Sequence, residues 1–221
     1  MKFIKLSLAA AVLATGMLAA ETSEIGISAN MALTSNYIWR GMTQTADAPS
    51  IQGGIDLDYA GIYAGVWAAN VRGDNGGSLE TDFYLGYANE LGNFSYDLGA
   101  IQYAYPKQTV AANFAEVYAS VGYDFGMAAV GATYSKGLDT ATDNVEATVS
   151  VPLPAEIGLD LAYGIYNDIG TYYSASVAKS FGKFDISVAY TAIAMDSANV
   201  DANNIVKDDE SNVVATIGTS F

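Results

Sequence analysis

Apolar and polar residues alternate along most of the chain with a period of two residues, the pattern of β-strands that have one apolar face. The last stretch shows this clearly, because Val213, Ile217 and Phe221 share one face whereas Asn212 and Thr216 lie on the other. The pattern predicts twelve strands, at residues 25–39, 51–59, 62–71, 79–89, 94–105, 114–123, 127–135, 145–153, 157–166, 172–181, 184–195 and 211–221. In 62–71 both faces are largely apolar, so the alternation leaves the phase of that strand open.

The connections between the predicted strands alternate in length. Short turns are predicted at 60–61, 90–93, 124–126, 154–156 and 182–183, and longer polar loops at 40–50, 72–78, 106–113, 136–144, 167–171 and 196–210. In an up-and-down barrel all short turns would lie at one end and all long loops at the other. An even strand number, tight periplasmic turns and longer outer loops are typical of outer-membrane barrels, and the strands have the length that a tilted membrane strand needs.

The final strand ends on Phe221, with no helix or loop to cover its edge. An open strand edge is unfavourable unless another strand pairs with it, and the first strand is the simplest partner. The sequence therefore predicts an all-β protein, a transmembrane antiparallel up-and-down β-barrel. The terminal phenylalanine also resembles the assembly signal of bacterial outer-membrane barrels, so we expect the barrel-assembly machinery to recognise Phe221.

The width of the barrel decides which face points outward. The interior of a twelve-stranded barrel is wider than the roughly eight-stranded barrel that side chains can fill, and an apolar lining would enclose a costly void. We therefore expect the apolar face to contact lipid and the polar face to line a hydrated lumen. Aromatic residues near the strand ends predict two interfacial girdles. These residues are Tyr59, Tyr63, Tyr87, Phe94, Tyr96, Tyr123, Phe181 and Phe184 near the short turns, and Tyr37, Trp39, Tyr134 and Tyr173 near the long loops.

The first twenty residues have the order of a secretory signal peptide. Lys2 and Lys5 precede the apolar run 6–18, and Ala19 and Ala20 offer a small-residue cleavage site. The run is too short to span a bilayer well, and no helical apolar run of spanning length follows it. We therefore expect a signal peptide at 1–20 and one barrel domain at 21–221. The expected location is the bacterial outer membrane, among its lipid and lipopolysaccharide.

The composition excludes several classes of function. The chain has 9 basic and 24 acidic residues, a net charge of −15, and neither histidine nor cysteine. This charge argues against a nucleic-acid partner. Outer-membrane lipases and proteases usually use histidine as general base, so we do not expect an enzyme. A serine–lysine arrangement stays open in principle, although Lys107, Lys136, Lys179, Lys183 and Lys207 fall in loops, turns or strand ends.

Nine acidic residues fall on the predicted lumen face, and Arg40 is the base in the same phase. The acids are Asp56, Asp58, Glu80, Asp82, Asp97, Glu116, Glu146, Asp160 and Asp185. They predict either a cation-attracting pore or simply a polar lining, with Arg40 paired to a nearby acid. Aromatic residues on the same face could stack a solute or narrow the lumen; they are Tyr84, Tyr103, Tyr105, Phe114, Tyr118 and Tyr166.

A further group of acids falls in the last long loop, at Asp196, Asp201, Asp208, Asp209 and Glu210. Their spacing matches no calcium-binding loop, and a solvated loop is the simpler interpretation. We therefore expect neither a metal site nor a cofactor.

Several short motifs together indicate a family. They are SNYIWRGMTQT at 35–45, PSIQGGID at 49–56, GIYAGVW at 61–67 followed by Asn70 and Val71, ETDFYLGY at 80–87 and YAYP at 103–106. In this combination the chain resembles the TorF family of porins, proteobacterial exported proteins formerly grouped as a conserved hypothetical family. The resemblance covers essentially the whole mature chain. It implies an outer-membrane barrel and carries over no catalytic or binding residues.

The expected function is a passive diffusion channel for small hydrophilic solutes that prefers cations. The alternative is a closed structural or adhesion barrel that conducts nothing.

Overall fold

The computed structural model describes residues 25–72, 77–106, 113–140, 142–197 and 208–221, and the predicted signal peptide lies outside them. Within these ranges the chain forms fourteen strands. They are β1 (Gly26–Thr34), β2 (Ile38–Trp39), β3 (Met42–Thr43), β4 (Ser50–Tyr59), β5 (Ile62–Asn70), β6 (Leu79–Leu91), β7 (Phe94–Ala104), β8 (Phe114–Asp124), β9 (Ala129–Gly137), β10 (Asp143–Leu153), β11 (Ile157–Tyr166), β12 (Gly170–Phe181), β13 (Phe184–Met195) and β14 (Glu210–Ser220). No helix among these residues is long and apolar enough to cross a membrane.

Twelve of these strands, β1 and β4 to β14, form one closed antiparallel barrel, and β2 and β3 form a separate short hairpin. Each barrel strand pairs with its neighbours in the chain, and β14 returns to pair with β1, from Asn30 opposite Ser220 to Thr34 opposite Thr216. At the short-turn end, the backbone N–H of Phe221 donates to the carbonyl of Ala29 at 2.8 Å, and the Ala29 N–H donates back at 3.1 Å. The predicted twelve-stranded closed barrel is therefore confirmed.

The outer wall of the barrel is apolar along its whole height. Ile27, Leu85 and Val213 are 72%, 63% and 70% exposed, and the outward residues of the other barrel strands follow the same pattern. Monomeric soluble proteins rarely expose a continuous apolar surface of this size. A closed barrel with all strands paired is one of the two structures that satisfy backbone hydrogen bonds in lipid. The wall is therefore a lipid-facing surface.

Three of the predicted girdle residues face inward instead. Tyr63 donates its hydroxyl to Asp97 at 2.7 Å inside the barrel. Tyr37 and Trp39 leave the wall altogether because β1 ends at Thr34 and not near residue 39. Tyr37 and Trp39 are spaced as in a strand, but their side chains contact polar and aromatic residues in the lumen.

The connection between β11 and β12 is also shorter than predicted. It has only residues 167–169, with Asp168 in a left-handed conformation and the Ile169 N–H donating to the Tyr166 carbonyl at 2.9 Å. This tight turn lets β12 begin at Gly170, inside the predicted loop. The loops at this end of the barrel therefore differ considerably in length.

Candidate functional site: the lumen and its hairpin

The segment between β1 and β4, residues 35–49, folds into the barrel and is called the lumen hairpin here. It turns at Arg40 and Gly41, whose φ angles are 48° and 84°, between the paired residues Trp39 and Met42. Positive φ at both central residues is the geometry of a two-residue hairpin turn of type I′. A side chain at Gly41 would have no room, because its Cβ would lie 2.8 Å from the Cβ of Ile193.

The lumen hairpin crosses the bore at the long-loop end of the barrel. The Trp39 ring contacts three strands of the wall, with ring centroids 5.9 Å from Tyr103 on β7, 6.1 Å from Phe114 on β8 and 5.5 Å from Tyr166 on β11. Tyr37 packs edge-on against Trp67 on β5 at 5.5 Å. These aromatic side chains therefore narrow the lumen, one of the two roles that their positions in the sequence left open.

Arg40, at the tip of the lumen hairpin, is held by the wall on the far side of the bore. Its guanidinium donates to both carboxylate oxygens of Glu116 at 2.8 Å and stacks on Trp39 at 4.3 Å and Tyr166 at 4.6 Å. Arg40 and Glu116 are only 4% and 3% exposed. Burial alone would lower the pKa of Arg40, but the hydrogen bonds and charge of Glu116 outweigh it and raise that pKa. The tip therefore carries a charged, bidentate, buried ion pair.

The base of the lumen hairpin is held by a compact polar network. The Asn36 side-chain amide donates to the Asn212 side chain at 3.2 Å, and its oxygen accepts from the hydroxyls of Thr43 at 2.7 Å and Thr45 at 2.9 Å. The Thr43 N–H donates to the carboxylate of Glu210 at 2.8 Å. Both base and tip are thus tied to the barrel wall by contacts far apart in the sequence.

Two of the predicted lumen acids, Glu80 and Asp82, are buried beside the lumen hairpin. The Tyr37 hydroxyl donates to Glu80 at 2.7 Å. Burial, followed by the charge of Glu80, raises the pKa of Tyr37, so the hydroxyl keeps its proton. The Asp82 Oδ1 atom is buried and has no hydrogen-bond partner among the described residues. Together with Glu116, these acids lie buried around the lumen hairpin in the outer half of the lumen.

Three further predicted acids, Asp56, Asp58 and Asp97, lie on the lumen side closer to the short turns. Asp56 and Asp97 accept hydrogen bonds from Tyr84 and Tyr63, and the hydroxyl of Tyr63 also contacts that of Tyr118. Asp58 lies near this group on β4. The carboxylates of Asp56, Asp58 and Asp97 belong to half-buried residues, in contrast to the buried Glu80, Asp82 and Glu116.

The opposite wall carries three further acids, each with a hydroxyl donor. Glu146 accepts from Tyr172 at 2.9 Å, Asp160 accepts from Ser150 at 2.6 Å, and Asp185 accepts from Ser180. Among the described side chains that face the lumen, Arg40 is the one base. The lumen therefore holds a clear excess of carboxylates.

Two acids of the last long loop accept backbone hydrogen bonds at the rim of the barrel. Asp209 accepts the Met195 N–H at 2.8 Å, and Glu210 accepts from the lumen hairpin. Asp201 lies outside the described residues. Within the described ranges no three acidic side chains are grouped so as to hold a metal ion.

The alternation in the sequence missed the lumen hairpin itself. The signal that could have revealed it is the Arg40-Gly41 pair directly after an aromatic residue. A glycine at the second position of a two-residue connection favours a tight hairpin turn, and here that turn lies at the start of the predicted long loop 40–50.

A closed barrel with a lipid-facing apolar wall and an acidic lumen defines the class of this protein, a bacterial outer-membrane β-barrel with the porin fold. The chain belongs to the Gcw_chp family, described as a bacterial protein of unknown function, whose model matches residues 18–221.

Solved structures share the architecture at low sequence identity. A KdgM porin superposes with a TM-score of 0.60 at 12% identity, covering 88% of this chain and 99% of that chain. A NanC porin gives a TM-score of 0.53 at 10% identity, covering 89% and 99%. A KdgM porin in complex with disordered oligogalacturonate gives 0.56 at 10% identity, covering 88% and 98%. These identities show the fold alone. No curated protein matches the chain in sequence.

Proposed function

We propose that this protein is a passive outer-membrane diffusion channel for small hydrophilic solutes and that it prefers cations. The resemblance to the TorF porins implies the outer-membrane barrel, and the cation preference is inferred from the charges of the lumen. The observation that supports it is the excess of carboxylates on the lumen side of the barrel, with Arg40 as the one described base. Because Arg40 is neutralised by Glu116, the other lumen acids are left without a basic partner among the described residues.

Such a lining should attract cations and repel anions, since charged rings and walls act on ions at close range in a pore. It also argues against the type of solute bound by one structural neighbour. Oligogalacturonate, present in a KdgM complex, is a chain of carboxylate sugars. A lumen rich in carboxylates would oppose its entry. The proposed solutes are therefore small cations and small neutral molecules.

A planar bilayer with a salt gradient tests this proposal directly. The purified, heat-modifiable protein should produce conductance steps in potassium chloride, and the reversal potential should have the sign of a cation-selective pore. A reversal potential of the opposite sign would refute the cation preference but leave a channel. Added oligogalacturonate should not block the pore, and it should not pass through the pore.

A second candidate function is a closed structural or adhesion barrel. It is favoured by a specific observation, namely that the lumen hairpin lies in the bore and packs against wall strands from β5 to β11. A folded protein that never conducts, over a wide range of voltage and salt, would support this candidate instead of the channel.

The barrel architecture also indicates the partners of the proposed channel. Its partners are outer-membrane lipid and lipopolysaccharide at the apolar wall, and the barrel-assembly machinery during insertion. We propose no catalytic role, because the chain has no histidine to act as the usual general base.

A further inference from the structure

The lumen hairpin is attached to the barrel unequally at its two ends. Its base is continuous with β1 and β4 and shares the hydrogen-bond network around Asn36 and Thr43. Its tip is connected to the far wall by the Arg40–Glu116 ion pair and by stacking on Tyr166. Movement of the tip away from the wall would therefore separate Arg40 from Glu116, while the base could stay in place.

Because both partners are charged, the contact between Arg40 and Glu116 favours two states of the hairpin tip, docked and undocked. Both groups are buried, and a buried charge without its partner is strongly unfavourable. When the tip is docked, each charge depends on the other. When the tip is undocked, water can solvate both. Loss of either partner should therefore destabilise the docked state specifically.

We propose that the Arg40–Glu116 ion pair is a latch that holds the lumen hairpin across the bore and thereby sets the size of solute that the channel admits. The latch closes the outer half of the lumen, where the aromatic side chains of Tyr103, Phe114 and Tyr166 surround Trp39. This inference rests on the proposed channel function for its effect on solutes, but the docking of the hairpin can be measured without any conductance.

Tryptophan fluorescence provides that measurement. The chain has two tryptophans, Trp39 in the lumen hairpin and Trp67 on β5. The variant Trp67→Phe leaves Trp39 as the single reporter, since its ring contacts the wall only while the hairpin is docked. In this background, undocking should shift the Trp39 emission to longer wavelength and increase its quenching by acrylamide.

Two substitutions in this background test the latch. Arg40→Ala removes the guanidinium, and Glu116→Gln leaves a side chain of nearly the same shape without the charge. Removal of one partner from a buried pair is expected to raise the equilibrium constant for undocking by about a hundredfold to a thousandfold. Lys136→Ala is the matched control, because Lys136 forms a 2.6 Å ion pair with Asp143 on the exposed outer side of the barrel.

The size limit is measured by the swelling of proteoliposomes in neutral sugars of increasing mass. Both latch variants should admit larger sugars than the parent, and Lys136→Ala should not. Folding is verified for each variant by its heat-dependent shift in gel mobility. If Arg40→Ala fails to fold, Glu116→Gln still decides the question.

The outcomes separate the latch from the channel. A red shift of Trp39 in Arg40→Ala and Glu116→Gln, with faster swelling, supports both ideas. A red shift without any swelling supports a latch on a barrel that is not a channel. Unchanged fluorescence and an unchanged size limit in a folded, conducting Glu116→Gln variant would overturn the latch and leave the channel intact.

Discussion

The ring of Tyr84 lies across Gly65, its direct partner on the neighbouring strand, so that a Cβ at Gly65 would come within 2.5 Å of the tyrosine Cζ. The same cross-strand relationship recurs at Tyr63 and Gly86, Tyr118 and Gly99, and Tyr172 and Gly164. Glycine weakens a strand because it packs poorly, and an aromatic ring across it restores the packing. The rings of these four lumen-facing tyrosines therefore lie along the wall, each over a glycine of the neighbouring strand.

The variant Gly65→Ala should destabilise the barrel. Tyr84 is buried and its hydroxyl donates to Asp56, so the ring cannot move aside without losing that bond. Overpacking of this kind costs about 1–3 kcal/mol, which urea unfolding in lipid vesicles can measure. Gly158→Ala is the control, because the atom nearest to its Cβ would be 4.0 Å away. Equal stability of the two variants would argue against the packing role of Gly65.

The barrel was predictable because lipid and water impose one rule on every strand. Outward residues such as Leu85 and Val213 must be apolar, so alternation identifies the twelve strands, and the width of the barrel then decides that the acids face the lumen. The closing pair between β1 and β14 follows from the cost of an open edge. None of this depends on a specific long-range contact.

The lumen hairpin depends entirely on such contacts. Tyr37 and Trp39 alternate as girdle residues do, and their partners, such as Glu80 and Tyr166, lie far along the chain. A bidentate pair such as Arg40 with Glu116 cannot be inferred from spacing. Sequence reasoning left open whether Arg40 pairs with an acid, but it had no means to choose Glu116 among nine carboxylates.

Phe221 is predicted to matter for assembly through its ring. The backbone of Phe221 already closes the seam with Ala29, while its side chain is 71% exposed towards the short-turn end. Phe221→Ala keeps both backbone hydrogen bonds and removes the ring. We expect it to accumulate in the periplasm without heat-modifiable barrel, although the purified chain should still refold in detergent.

Refolding in detergent separates recognition from stability. If Phe221→Ala also fails to refold there, the ring is needed for the barrel itself. Normal amounts of heat-modifiable Phe221→Ala in the outer membrane would contradict the assembly role. Leu91→Ala is a suitable control, because Leu91 is another exposed apolar residue near the short turns.

A charge at the middle of the apolar wall should be costly. Leu85 lies at the centre of β6 and is exposed on the lipid side. Leu85→Arg should reduce the unfolding free energy by about 2–4 kcal/mol, the cost of arginine near the bilayer midplane. Ser150→Arg is the control, since Ser150 faces the lumen beside Asp160. The orientation would be wrong if Ser150→Arg, and not Leu85→Arg, lost stability in lipid vesicles.

The half-buried acids on the lumen side should control ion selectivity more than the buried ones. Asp56, Asp58 and Asp97 lie below the lumen hairpin, whereas Glu80 and Asp82 are enclosed beside it. Replacement of the first three acids with asparagine should therefore move the reversal potential in a salt gradient towards zero. The variant Glu80→Gln with Asp82→Asn should change it less.

Salt and pH provide independent tests of the same prediction. In about 1 M salt the Debye length falls to about 3 Å, so the selectivity of the parent protein and its difference from the triple variant should both shrink. Acidic solution should have the same effect, because protonation removes the carboxylate charge. Asp168→Asn is the matched control, since Asp168 lies in an exposed turn where salt screens its charge. A triple variant as cation-selective as the parent would show that these three acids do not govern ion flow.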